Sequence, residues 1–339
     1  MNVWLDWNLT NGKILYMNDS IFVSNKKITM KKIILCLVAT TAGLVAYSQT
    51  TKALISQVGN QASVGSFNPA TGTYTEMQKL TLIGNASRDF IYDAKNGNAI
   101  FQVANNGLQF LKIDGNEVTS NKVISMMNNV VAPAYMPANQ KVVLFNIQKE
   151  FNGYGNNEDN LFLSTVDLKK GTTQNLLKFT DISFDNVVAP YYGKVLTMDR
   201  FTGQNVNKDV AISKPLYIAE KDIYMVMIKD VTGTNRLYKV RMNGPKPTYS
   251  SARCNYNIVD MAYFPMKDII KTLFFETVNG VNILKVGDMD INTNAISNVQ
   301  IIRTFASSGN LIIDNGSIKF NADFSQLYTS YFSNNKTEI

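Results

Sequence analysis

Residues 129–135 read NVVAPAY, and residues 186–192 read NVVAPYY. A chain that writes one seven-residue element twice builds one local structure twice, and no single motif constrains a fold as strongly as a repeat does. Further copies exist. Residues 257–263 read NIVDMAY and fit N-[VI]-V-x-x-x-Y, and looser copies begin at Ala86 (ASRDFIY) and Asp314 (DNGSIKF). The starts at 86, 129, 186, 257 and 314 lie 43, 57, 71 and 57 residues apart, a loose period near 57.

Each copy is followed by a run with strand composition: AIFQV at 99–103, KVVLFNI at 141–147, KVLTM at 194–198, TLFFETV at 272–278 and QLYTSYF at 326–332. A third run follows in most copies, as in LQFLKID (108–114), LFLSTVD (161–167), LYKVRM (237–242) and ILKV (283–286). These end in turn sequences: Asp114-Gly115, DLKKG at 167–171, Asn243-Gly244 and DINTN at 290–294. A weaker fourth run comes next, such as QNLLKF at 174–179. Three or four short strands joined by hairpin turns form a sheet that cannot bury both faces alone. Stacking such sheets around an axis covers the faces and protects the edges.

On these repeats, residues 52–333 resemble secreted bacterial β-propeller proteins of the broad YncE-like and WD-repeat-like kind. No blade ends in Trp-Asp and none carries Gly-His, so no family is assigned. The resemblance implies an all-β fold, a β-propeller of five to seven blades. Two β-sandwich domains are the alternative. Four interior units and a shared closing blade give five. The long unit 184–249, with its extra runs LYIA (216–219) and IYMVMI (223–228), gives six if it is two blades. Separate blades at the ends raise the count again. Residues 53–58 and 61–67 read as second and third strands, and 318–322 and 326–332 as a first and a second. Termini that meet in one closing blade, or a chain truncated at its C-terminus, both fit this pattern.

The N-terminus carries an export signal. Met30-Lys31-Lys32 precedes the 14 residues IILCLVATTAGLVA, and small residues stand at Ala46 and Ser48. That is a signal-peptide helix over 30–48, cleaved after Ser48. The run falls short of the roughly 20 apolar residues of a membrane span, so the mature chain has no transmembrane span. Residues 1–29 then read as an upstream extension ahead of the true start at Met30, and 49–339 as a single propeller domain. A lipoprotein is disfavoured, because Cys36 lies inside the apolar run rather than at its end. After cleavage only Cys254 remains, and one Cys cannot form an intramolecular disulfide. The expected location is periplasmic, outer-membrane-associated or secreted, in a Gram-negative cell.

The net charge of +7 is spread singly along the chain, with no basic stripe, which speaks against nucleic acid as a partner. The sequence has no histidine, which excludes a Ser-His-Asp triad, a Cys-His dyad and His-ligated metal. No phosphate-cradling glycine loop is present, and no cofactor is expected. Carboxylate chemistry stays open. Asp89 and Asp260 share the fourth position of the repeated element, and Glu276 lies on the following strand. Paired acids at the right separation cleave glycosidic bonds. The competing reading is that they are structural or solvated. Asp288, Asp290 and Asn292 alternate like calcium ligands but lack the Gly and Glu of an EF-hand loop, and the same residues fit a hairpin turn. The insert at 151–160 carries Phe151 and Tyr154 amid polar residues, which suits a contact surface or a solvated loop. Cys254 reads as a packed thiol. The resulting expectation is an exported, non-enzymatic propeller whose partner is an envelope or extracellular protein or a glycan. The alternative is a carboxylate-based glycoside hydrolase or lyase.

Overall fold

The structure is a computed structural model. It describes residues 51–338 apart from 57–60, 69–72, 82–85, 94–96, 104–106, 115–116, 126–128, 152–156, 181–192, 199–204, 230–233, 306–316, 321–323, 325–326 and 334–335. The signal-peptide segment, the upstream extension and the 186–192 copy of the repeat therefore lie outside the described residues.

The described chain is almost entirely strand. The first sheet is β1 (Thr51–Ser56), β2 (Gln61–Asn68) and β3 (Thr73–Thr81), and the second is β4 (Ala86–Asp93), β5 (Asn98–Val103), β6 (Gly107–Asp114) and β7 (Glu117–Ser125). The third is β8 (Asn129–Met136), β9 (Lys141–Phe151), β10 (Asn157–Asp167) and β11 (Thr173–Lys178). A hairpin of β12 (Gly193–Met198) and β13 (Asn205–Ile212) precedes the fourth sheet and joins it through Ala211↔Lys229 and Ile212↔Ile228. That sheet is β14 (Leu216–Ile218), β15 (Ile223–Lys229), β16 (Asn235–Arg241) and β17 (Thr248–Arg253). The fifth is β18 (Asn257–Phe264), β19 (Ile269–Val278), β20 (Val281–Asp290) and β21 (Ile296–Phe305). The last is β22 (Ser317–Phe320), β23 (Leu327–Ser333) and β24 (Lys336–Glu338). All pairings among the described strands are antiparallel, and all but β13–β15 join neighbours in sequence; the first strands follow one another side by side in the order β4, β8, β14, β18, β22. This is a β-propeller arrangement, with six sheets among the described residues. No described helix is long and apolar enough to cross a membrane.

Burial separates this from the β-sandwich alternative. In a two-sheet sandwich each sheet wets one face. Here the third, fourth and fifth sheets bury both. Along β9, Val142 and Leu144 enter a core with Ile100, Leu108 and Ile124 of the second sheet, while Val143 and Phe145 enter another with Tyr224, Val226 and Tyr238 of the fourth. Along β15, Tyr224, Val226 and Ile228 face the third sheet, and Met225 and Met227 face Ile258, Ile270, Phe274 and Met289 of the fifth. The side-chain period of two sends successive residues into different cores, so β9 and β15 carry continuous apolar runs at 142–145 and 223–228.

The repeated element is the first strand, and what it encodes is a bulge. Asn129 pairs with Ile147 and Tyr135 with Val142, so six steps on β8 oppose five on β9, with the shift between Val131 and Ala134. β18 repeats this, with Asn257 opposite Phe275 and Tyr263 opposite Ile270. β4 shifts between Ala86 and Phe90. A bulge removes a residue from the ladder and strands its backbone groups. Pro133 sits in such a place because it has no N–H to lose, and Ala132 beside it takes φ 52°.

The neighbouring sheet takes up what the bulges release. The buried Tyr224 hydroxyl donates to the Ala132 carbonyl at 2.8 Å. The Lys214 N–H donates to the Val259 carbonyl at 2.9 Å. The short strand β14 thus has a bulged strand on either side, and residues of its own sheet serve both.

The turn after each first strand is also shared. The repeat tyrosine is followed five residues later by a left-handed residue: Tyr92 by Gly97, Tyr135 by Gln140, Tyr217 by Asp222 and Tyr263 by Asp268, with φ between 52° and 63°. The tyrosine pairs two positions past that residue, opposite Ala99, Val142, Tyr224 and Ile270. Among the described residues, the first strand of this kind between β8 and β18 is Leu216–Ile218, in the run that the sequence suggested as extra.

The ends occupy separate sheets. Among the described residues β1 to β3 and β22 to β24 form separate sheets, the case in which the sequence reading raised the sheet count. The last sheet leans on the fifth. Ile318 is buried with Leu273, Phe275, Leu284 and Val286, and Phe264 stacks on Phe320 with Phe324 tilted against both, centroids 5.1–6.4 Å apart.

Two outcomes follow. Tyr224→Phe leaves the Ala132 carbonyl buried without its donor, so urea unfolding is expected to show a loss of about 1–3 kcal/mol. An unchanged midpoint would refute the pairing. Residues 49–313 are expected to unfold at lower urea than 49–339, because the fifth sheet loses its cover. Equal midpoint and slope would show that the last sheet is an independent appendage.

Candidate functional site

Asp260 is the buried one among the proposed acids whose side chains are described. It follows the bulged Val259 on β18 and is completely buried. Its Oδ1 accepts the Met261 N–H at 2.8 Å, and its Oδ2 accepts the Ile318 N–H at 2.9 Å, 58 residues away in the last sheet. The Lys319 ammonium stands 3.6 Å from Oδ2. A buried carboxylate is tolerable only with such partners. The arrangement ties two sheets together through the inner strand and points no oxygen at open space.

Asp89 falls in the bulged stretch of β4 between Ala86 and Phe90, the counterpart of the Asp260 position. Its side chain is not among those described. Glu276 lies on β19, three residues past Leu273, which pairs with Asp260. That separates it from Asp260 by about 10 Å along the strand direction. Glu276 is half exposed and forms an ion pair with Lys285 on the neighbouring strand.

The calcium-like residues form a turn. Asp290 Oδ1 accepts the N–H groups of Asn292 at 2.9 Å and Thr293 at 2.7 Å, and the Thr293 hydroxyl at 2.9 Å. Those Thr293 and Asn292 donors hold its carboxyl below the usual range. Asn294 closes the loop at φ 62°. The β10–β11 turn is the same object: Lys169 and Lys170 N–H groups reach Asp167 Oδ1, each at 2.9 Å, and Gly171 takes φ 71°. Asp288 is on the strand. Burial pushes its carboxyl up, and bonds from Lys271 and from Asn298 at 2.9 Å outweigh that and hold it low. Among the described residues no three acidic or thiol groups gather as a metal site would require.

Those two turns also dock on the preceding sheet. Leu168 and Ile291, each one residue past the capping Asp, are buried against the second and fourth sheets. A lysine from that sheet bonds the turn carbonyls. Lys122 reaches Leu168 O at 2.9 Å and Lys169 O at 2.7 Å, while Lys239 reaches the carbonyl of Ile291. The shared D-[LI]-x-x-[GN] spelling was the available signal for the turn. Nothing local in sequence marks Lys122 or Lys239, because their partners lie 46 and 52 residues away.

At the opposite turns, Lys221 pairs with Asp268 at 3.0 Å, and the Tyr263 hydroxyl donates to Asp268 at 2.9 Å. Lys221 and Tyr263 hold the Asp268 carboxyl low, whereas burial and Asp268 together push the Tyr263 phenol up to about 12. Cys254 is half-buried, its thiol pushed up by burial and 3.5 Å from the Tyr256 carbonyl, so it is protonated at neutral pH and packed rather than nucleophilic. The insert after β9 continues the ladder. Phe151 pairs with Asn157, and Tyr154 lies outside the described residues.

No family model matches this sequence, and no curated protein matches it. Solved structures give distant likenesses. A structure described as dihydro-heme d1 dehydrogenase NirN in complex with DHE has 10% identity and a TM-score of 0.42, over 85% of this chain and 59% of that one. The N-terminal domain of Nup159 gives 10% and 0.42 over 84% of each chain. The WD40 domain of SCAP from fission yeast gives 10% and 0.36 over 79% of this chain and 66% of that one. This chain spans less than two thirds of the first of these.

Asp260→Ala is expected to lower the unfolding free energy by about 1–3 kcal/mol or more, since it strands the buried Ile318 and Met261 N–H groups. Glu276→Gln should stay within about 0.5 kcal/mol, as exposed pairs contribute little. Equal effects in denaturant titrations would contradict these assignments. The turn caps give a pH dependence. Asp167 and Asp290 have folded pKa values below the unfolded value of about 3.9, so their contribution is full above that value. It is lost as pH falls through the folded pKa. Thermal scans should show an Asp167→Asn/Asp290→Asn variant losing less stability between about pH 5 and pH 2 than the parent chain. Parallel curves would show that the caps do not titrate with folding.

Proposed function

We propose that this chain is an exported, non-catalytic β-propeller that binds a protein partner or a glycan in the cell envelope or outside the cell. The observation that carries the reading is Asp260. The acid best placed for chemistry on the inner strands is fully buried and bound by Met261 and Ile318 N–H groups of two sheets. Glu276 is held by Lys285 on an outer strand. A glycoside hydrolase needs two free acids flanking one bond, and Asp260 and Glu276 are each held by partners. The export half of the reading rests on the charged start at Lys31-Lys32, the apolar run after it and the small residues before Gln49. A rigid stack of sheets with variable turns is a scaffold suited to recognition.

The test uses the purified mature chain, residues 49–339, on a glycan panel and in pull-downs from an envelope fraction of a Gram-negative host. Saturable retention of a protein or glycan without turnover is the expected result. Turnover that disappears in Asp89→Asn and Glu276→Gln, with folding intact, would establish the hydrolase instead. Export is read separately. The mature N-terminus is expected at Gln49 in the periplasm or medium, and a cytoplasmic protein starting at Met1 or Met30 would refute it.

A further inference from the structure

We draw no further inference here: the strongest candidate, the outer edge strand of the fifth sheet (Ile296–Phe305) with Val299 and Ile301 exposed side by side, is an unpartnered apolar edge, and nothing in the structure shows what covers it.

Discussion

A bulge in an inner strand creates a debt of hydrogen bonds, and here neighbouring sheets settle the carbonyl part of it. β8 and β18 each carry one residue more than their partner strands, and each has a stranded carbonyl deep in the molecule. The Tyr224 hydroxyl takes the one at Ala132, and the Lys214 N–H takes the one at Val259. Buried backbone groups left unpaired cost as much as a lost hydrogen bond, so these contacts fix which sheet lies beside which. Asp260 adds the reverse case, an acceptor supplied to a strand of the last sheet.

Apolar packing fills in around those polar ties. Phe145, Phe179, Tyr224, Tyr238 and Tyr249 form a chain of edge-on and tilted rings between the third and fourth sheets, with centroids 4.7–6.3 Å apart. Ring contacts of this kind add to plain burial. Farther out, the Asp-capped turns press Leu168 and Ile291 into the preceding sheet, and Lys122 and Lys239 bond the carbonyls beside them. Hydrophobic area supplies the drive, and the directional bonds set the order and register of the sheets.

Much of this was legible in sequence. NVVAPAY and NIVDMAY mark first strands, and the runs after them mark second and third strands, because patterning and turn chemistry are local. The copy at 186–192 lies outside the described residues, and the fourth sheet has a less legible first strand. The first strand there is Leu216–Ile218, three residues long, recognisable only by Tyr217 and the left-handed Asp222 five positions later. The hairpin of β12 and β13 adds length between β11 and β14. The role of Asp260 was hidden for another reason. An acid at a repeated position looks the same in sequence whether it faces a channel or an N–H group 58 residues away.

The Asp260 carboxylate couples the fifth and last sheets by accepting an N–H group from each. Amide hydrogen exchange on the mature chain and its Asp260→Ala variant tests this directly. Loss of protection in 257–264 and 317–320 together is the predicted result, because both strands lose the acceptor they share. Protection that falls in neither strand, or in 317–320 alone, would contradict the coupling and reopen the question of what this acid is for.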